Sequence, residues 1–274
     1  VSRLTLSNTS LEPVVPAKPV APYIGGKKNL ATRLVARIET IPHDLYAEPF
    51  VGMGGVFLRR KSAPRAEVIN DVNREVSNFF RILQRHYVAF LQMMQYQLTT
   101  RAEFERLSHV DPNTLTDLER AARFLYLQRT AFGGLVRKQS FGVSPDRPGR
   151  FNVTRLAPML EDLHTRLAGV VIECLSWEVF LARYDRPNAL FYLDPPYWGS
   201  EKDYGDAFGR EDFVRLAEVL RGLKGRFLMS LNDHPGVRET FHDFHFEEVR
   251  VARTVGRSAS SRKSVGEVII SKRE

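Results

Sequence analysis

A single cysteine among 274 residues, Cys174, leaves no partner for an intramolecular disulfide and no cysteine-rich metal site. It lies in Val170-Val171-Ile172-Glu173-Cys174-Leu175 and reads as a small core residue, in a chain suited to a reducing cytoplasm. No apolar run approaches the ~18 residues that span a bilayer, so no membrane association is expected. The stretch from Val1 to Ala21 lacks the apolar core of a signal peptide. There is no internal repeat. Two phosphate-binding signatures are also missing. Pro22-Tyr23-Ile24-Gly25-Gly26-Lys27-Lys28-Asn29 resembles a compact loop before a helix, with an exposed lysine, and would suit a phosphate nest. It lacks the full P-loop pattern and no strand precedes it, which makes an ATPase a poor reading. In Gly52-Met53-Gly54-Gly55 no glycine follows three residues after Gly54, so the dinucleotide spacing is absent.

What is present suffices for one α/β domain with an insertion, or for two small domains: 43% of residues are hydrophobic and 26% charged. Residues 1–20, with Pro13, Pro16 and Pro19, read as a flexible tail or an extended arm. A helix is expected over 30–39, then strands over 45–48 and 66–70. Helical periods follow from 75 toward 96 and over 101–107, 117–129 and 155–167. The Gly-, Ser-, Pro- and Arg-rich stretch 132–153 is a loop. Strand patterns return at 170–175, 189–193 and 226–231. Two more, 246–252 and 265–271, fit an antiparallel hairpin at a sheet edge. The order predicts an α/β fold with a mostly parallel sheet formed by 21–74 and 168–274, and an inserted helical domain over 75–167.

The most informative residues are Asp194-Pro195-Pro196-Tyr197, directly after the apolar run 189–193. The carboxyl end of a central parallel strand is where open α/β sheets bind ligands. Two prolines remove two N–H donors, which leaves an acceptor-only rim of the Asp194 carboxylate and the Pro195 carbonyl. Such a rim suits a planar amino group, and Tyr197 offers a face for stacking a base. A proline-stiffened turn with Asp as a helix cap is the plainer alternative.

In Glu48-Pro49-Phe50-Val51-Gly52-Met53-Gly54-Gly55 the glycines allow close backbone approach to a ligand. Asp71 ends the next strand, where an acid can accept from ribose hydroxyls. It would also serve as a helix cap. Basic residues number 40 against 32 acidic, a net charge of +8. From Arg120 to Arg150 seven bases face one acid, and from Arg250 to Glu274 seven face two. One such run is usually a solvated face; two beside a base-binding motif favour nucleic acid.

Taken in order, Tyr23-Ile24-Gly25-Gly26-Lys27, Glu48 to Gly54, Asp71-Val72-Asn73 and Asp194 to Tyr197 resemble the Dam-type DNA adenine-N6 methyltransferases. Phe124 to Arg137 is similar to the segment that opens the family's DNA-contacting region. Gly149-Arg150-Phe151-Asn152-Val153 resembles its Gly-x-Phe-Asn-Val turn. Phe227 to Asp233 and Arg262 to Glu267 resemble its late strand and final basic hairpin. Coverage runs from about residue 20 to 271. The resemblance implies a class I, Rossmann-like methyltransferase fold and S-adenosylmethionine as cofactor, with no metal. It sets Tyr23, Lys27, Phe50, Gly52, Gly54, Asp71, Trp177 and Asp194 around that cofactor, Lys27 being suited to neutralise a carboxylate. Two departures stand out: Gln128-Arg129 replaces the usual Asn-Arg, and Phe132-Gly133-Gly134 replaces aromatic-Asn-Gly.

The expected partner is double-stranded DNA, met by a monomer or a transient dimer. Arg129, Arg137, Lys138 and Arg150 are candidates for phosphate or base contacts, as is Asn152 in the turn. Phe132 and Leu135 are candidate wedges. The catalytic set is Asp194, Pro195, Pro196 and Tyr197. Accepting both amine hydrogens localises the adenine lone pair toward the methyl, and an amine inside a duplex requires the base to be flipped out. Alternatives left open are a cytosine-N4 or RNA adenine methyltransferase, an inactive DNA-binding relative, and a nicotinamide enzyme.

Overall fold

The structure is a computed structural model that describes residues 11–23, 25–27, 29–132, 139–142, 149–200, 208–251 and 265–273. Five parallel strands form the body of one sheet: β2 (Leu45–Glu48), β4 (Ala66–Asn70), β5 (Val171–Glu173), β6 (Ala189–Leu193) and β7 (Arg226–Asn232). A hairpin of β8 (His245–Val251) and β9 (Val265–Ser271) completes it, β9 lying antiparallel against β7. The order across the sheet is β5-β4-β2-β6-β7-β9-β8. From β2 the chain winds outward to β4 and β5, then returns to β6 on the other side. The switch point therefore lies between β2 and β6, and a crevice is expected at their carboxyl ends.

Period-2 alternation separates two cores. Tyr46, Leu190, Tyr192, Leu228 and Ile269 join one face, together with α1 (Ala31–Glu39), α2 (Arg74–Met94), α4 (Asp117–Thr130) and α5 (Val153–Arg166). Leu45, Ala47, Phe191, Leu193 and Met229 join the other, under α6 (Trp177–Tyr184), α7 (Arg210–Gly222) and α8 (Pro235–Thr240). The same parity turns Glu48 and Asp194, at the ends of β2 and β6, toward one side. Helices α2, α4 and α5 of the long helical stretch share a continuous core with the sheet face, and α3 (Arg101–His109) packs against α4. Among the described residues no helix is long and apolar enough to cross a membrane.

One expectation is narrowed and another corrected. Of the two readings of the first twenty residues, 11–20 follow the extended arm and not the flexible tail, packed as a strap. β1 (Glu12–Pro13) pairs with β3 (Ser62–Ala63), Ala17 N–H donates to Leu58 O at 2.8 Å, and Val20 is fully buried. Its prolines lack N–H groups, so the strap is fixed by a few bonds at other residues rather than by a regular ladder. Cys174 is exposed, because β5 is an edge strand that ends at Glu173.

Candidate active site

A cavity of about 1110 Å³ opens at the predicted switch point. Its floor comes from the ends of β2, β4 and β6: Glu48, Asp71, Tyr192 and Asp194. The turn after β2 supplies Phe50, Gly52, Met53 and Gly55, and the strap supplies Pro22 and Tyr23. Gly52 has φ +51°, and a Cβ there would stand 3.0 Å from the Tyr23 ring. Only glycine lets the ring lie that close to the turn. Gly54 has φ +74° and its hydrogen faces Leu58, so it shapes the turn without lining the cavity.

Asp71 is held from both sides. Its Oδ2 accepts from Gly52 N–H and its Oδ1 from Asn73 N–H, each at 2.9 Å. Burial nevertheless outweighs these bonds and pushes its carboxyl up to about 6. Asn73 in turn caps α2 by accepting from Glu75 N–H at 3.0 Å. Glu48 is 1% exposed, and burial pushes its carboxyl up to about 8, opposed in part by the Tyr46 hydroxyl, which donates to it at 2.6 Å.

Asp194 stands in a chain of side chains. Lys27 is 4% exposed; its Nζ lies 2.7 Å from Asp194 Oδ1 and donates to the Tyr197 hydroxyl at 2.7 Å. The ammonium thus meets a carboxylate, though one of the protein's own, at the end of β6. Ser230 Oγ also donates to Asp194 Oδ1, at 3.1 Å, and accepts from the Tyr192 hydroxyl at 2.8 Å. Two donors thus share Oδ1, while no described donor is paired with Oδ2. The side chain keeps one-fifth of its surface open (20%). Desolvation raises its carboxyl and Lys27 opposes the shift.

The structure thus gathers Tyr23, Lys27, Phe50, Gly52, Asp71, Asp194 and Pro196 around one cavity. Trp177 is buried in the second core, with its ring 6.4 Å from that of Phe208. Phe208 and Phe50 supply the aromatic wall. Asn232 grips the backbone after the double proline: its Oδ1 accepts from Trp198 N–H at 2.9 Å and its Nδ2 donates to Trp198 O at 3.1 Å. Ser230, Asn232 and Glu48 were not singled out as site residues. The signal for the first two was their place near the end of a strand beside β6.

The basic candidates divide. Arg129 lines the cavity, donating to Val20 O at 2.7 Å and Arg150 O at 3.1 Å, and beside it Gln128 donates to Pro22 O at 2.8 Å. These neighbours on α4 fasten the strap, so the guanidinium is committed to backbone carbonyls. Arg150 donates to Ala131 O at 2.7 Å, and Asn152 caps α5 by accepting from Arg155 N–H at 3.2 Å. Phe132 is 59% exposed. Leu135, Arg137 and Lys138 lie outside the described residues.

The model of the D12 class N6 adenine-specific DNA methyltransferases matches residues 23–255. The Type II methyltransferase M1.LlaDCHI of Lactococcus lactis subsp. cremoris is 27% identical, covering 92% of this chain and 94% of its own. A DNA adenine methylase of Haemophilus influenzae is 25% identical, covering 95% of each chain. Among solved structures, a putative RNA methyltransferase from Pyrococcus horikoshii aligns over 93% of this chain and 91% of its own, with TM-score 0.41 and 9% identity.

Proposed function

This chain belongs to the D12 class N6 adenine-specific DNA methyltransferases, and from that premise we propose how its cavity carries out methyl transfer: Asp194 and the Pro195 carbonyl accept the two N6 hydrogens of a flipped-out adenine while S-adenosylmethionine fills the opposite side. The observation that carries this reading is the asymmetry of Asp194, with Oδ1 anchored by Lys27 and Ser230 and Oδ2 left to the cavity.

The lining residues fit such a cofactor. Asp71 would meet ribose hydroxyls, Phe50 and Phe208 a purine face, and the Gly52 turn the methionine part. Lys27 already serves Asp194. Lys18 and Arg59 line the cavity without a carboxylate partner among the described residues. They are the cations a ligand carboxylate would find. When bound, the cofactor supplies an electrophilic methyl on a sulfonium.

The protein's part is positioning and charge. An adenine amine is a weak nucleophile because its lone pair is shared with the ring. Two acceptors on its hydrogens favour a tetrahedral nitrogen and complement the positive charge that develops there. Asp194 then takes the proton at Oδ2 after transfer. Tyr197 provides the stacking face for the extruded base. Residues 21–74 and 168–274 serve the chemistry, and 75–167 serves target recognition, with Phe132 at the DNA surface. Digesting methylated double-stranded DNA to nucleosides tests the proposal. N6-methyladenine is expected; N4-methylcytosine, or methyl incorporation into RNA alone, would overturn it.

A further inference from the structure

Glu267 is an acid the reaction does not obviously require. It sits on β9 opposite Asn232 of β7, and it is 9% exposed. Its Oε1 accepts from the Tyr197 hydroxyl at 2.7 Å, and its Oε2 is buried with no hydrogen-bond partner among the described residues. A carboxylate so placed is a poor device for holding a sheet together. Burying it costs desolvation that one hydroxyl does not repay, and an apolar side chain would serve the sheet as well or better.

What the carboxylate does is end a hydrogen-bond chain and hold the Tyr197 hydroxyl in place. A phenol has one proton to give. Given to Glu267, it leaves the Tyr197 oxygen as acceptor for Lys27, at 2.7 Å. Lys27 is thereby held between that oxygen and Asp194 Oδ1, also 2.7 Å away. Without Glu267 the phenol loses the carboxylate that holds and polarises it; its oxygen still accepts from Lys27, but more weakly, which frees the ammonium on its flexible stem. We propose that Glu267 is a positioning residue for methyl transfer: acting through the Tyr197 hydroxyl and Lys27, it keeps Oδ1 of Asp194 occupied and Oδ2 presented to the amine. This rests on Asp194 as the amine acceptor, and it ties the last hairpin of the chain to the motif at the end of β6.

Single-turnover methylation by the full chain, with cofactor affinity from calorimetry and DNA affinity from anisotropy, tests the inference. Glu267→Leu should lose about tenfold or more in the chemical step, with both affinities within about threefold of wild type and an unchanged or raised melting temperature. Glu267→Gln keeps an acceptor for the phenol and should recover to within about threefold of wild type. Tyr197→Phe combined with Glu267→Leu should be no slower than the slower single variant, because both break one chain. A wild-type rate in Glu267→Leu, a Gln variant as slow as Leu, or losses that multiply in the double variant would each overturn it. Asp194→Asn is run alongside. If that variant stays active, the reading of Asp194 fails; if it is inactive while Glu267→Leu is normal, only the role of Glu267 fails.

Discussion

Asp71 reaches back across nineteen residues to Gly52, its Oδ2 accepting the Gly52 N–H at 2.9 Å. One carboxylate thus joins the glycine turn after β2 to the end of β4 and still borders the cavity. Because burial pushes it up to about 6, it is ionised at neutral pH and loses its charge just below. A protonated acid can no longer accept from two ribose hydroxyls. Cofactor affinity should therefore weaken as pH falls through about 6. Asp71→Ala should bind about tenfold or more weakly and show no such step. Calorimetry between pH 7.5 and 5.5 (roughly one unit or less beyond the titration on the acid side) checks this; equal affinity across the range in wild type contradicts it.

Glu48 makes a prediction about stability. Its folded pKa, about 8, lies above the ordinary value of 4.5. Between those values the folded protein keeps a proton that the unfolded chain has released. Its contribution is fully present below pH 4.5 and is lost as pH rises toward 8. The loss should be on the order of a few kcal/mol. Glu48→Gln, which still accepts from Tyr46, should lack that slope. Urea unfolding at several pH values measures it, and parallel slopes in the two proteins would refute the assignment.

Arg129 is committed to Val20 O and Arg150 O. Arg129→Ala should therefore loosen the strap that carries Tyr23. Expected are a stability loss of about 1–3 kcal/mol and weaker cofactor binding, with the salt dependence of DNA affinity unchanged. A salt slope lowered by about one would instead make it a phosphate contact.

Phe132 is 59% exposed beside Arg150. Phe132→Ala should leave stability within about 0.5 kcal/mol, yet reduce the signal of a fluorescent adenine analogue at the target site. Loss of folding, with normal flipping in what remains folded, would make the residue part of the core.

Strands were legible wherever a continuous apolar run ended in a turn residue: β2, β4, β6 and β9 fall where the pattern set them. The cavity was legible too, because the Gly52 turn, Asp71 and Asp194 follow the carboxyl ends of three neighbouring strands, β2, β4 and β6. Long-range pairings were not. Nothing local in Gln128-Arg129 tells that they bind the carbonyls of Pro22 and Val20, over a hundred residues away. Proline spacing in the strap suggested looseness, whereas its order comes from bonds to residues 58 and 61. Lys27 was expected to meet a carboxylate, but a loop sequence carries no sign that the carboxylate is Asp194, far along the chain. Cys174 looked buried because an apolar run does not announce where an edge strand stops.

The central claim is that Asp194 acts on the amine and not on binding. Single-turnover methyl transfer by Asp194→Ala, with cofactor and DNA affinities measured on the same preparation, tests it most directly. The account predicts a rate lower by about a hundredfold or more with both affinities largely kept. Near-normal turnover, or a loss fully explained by weakened cofactor binding, would contradict it.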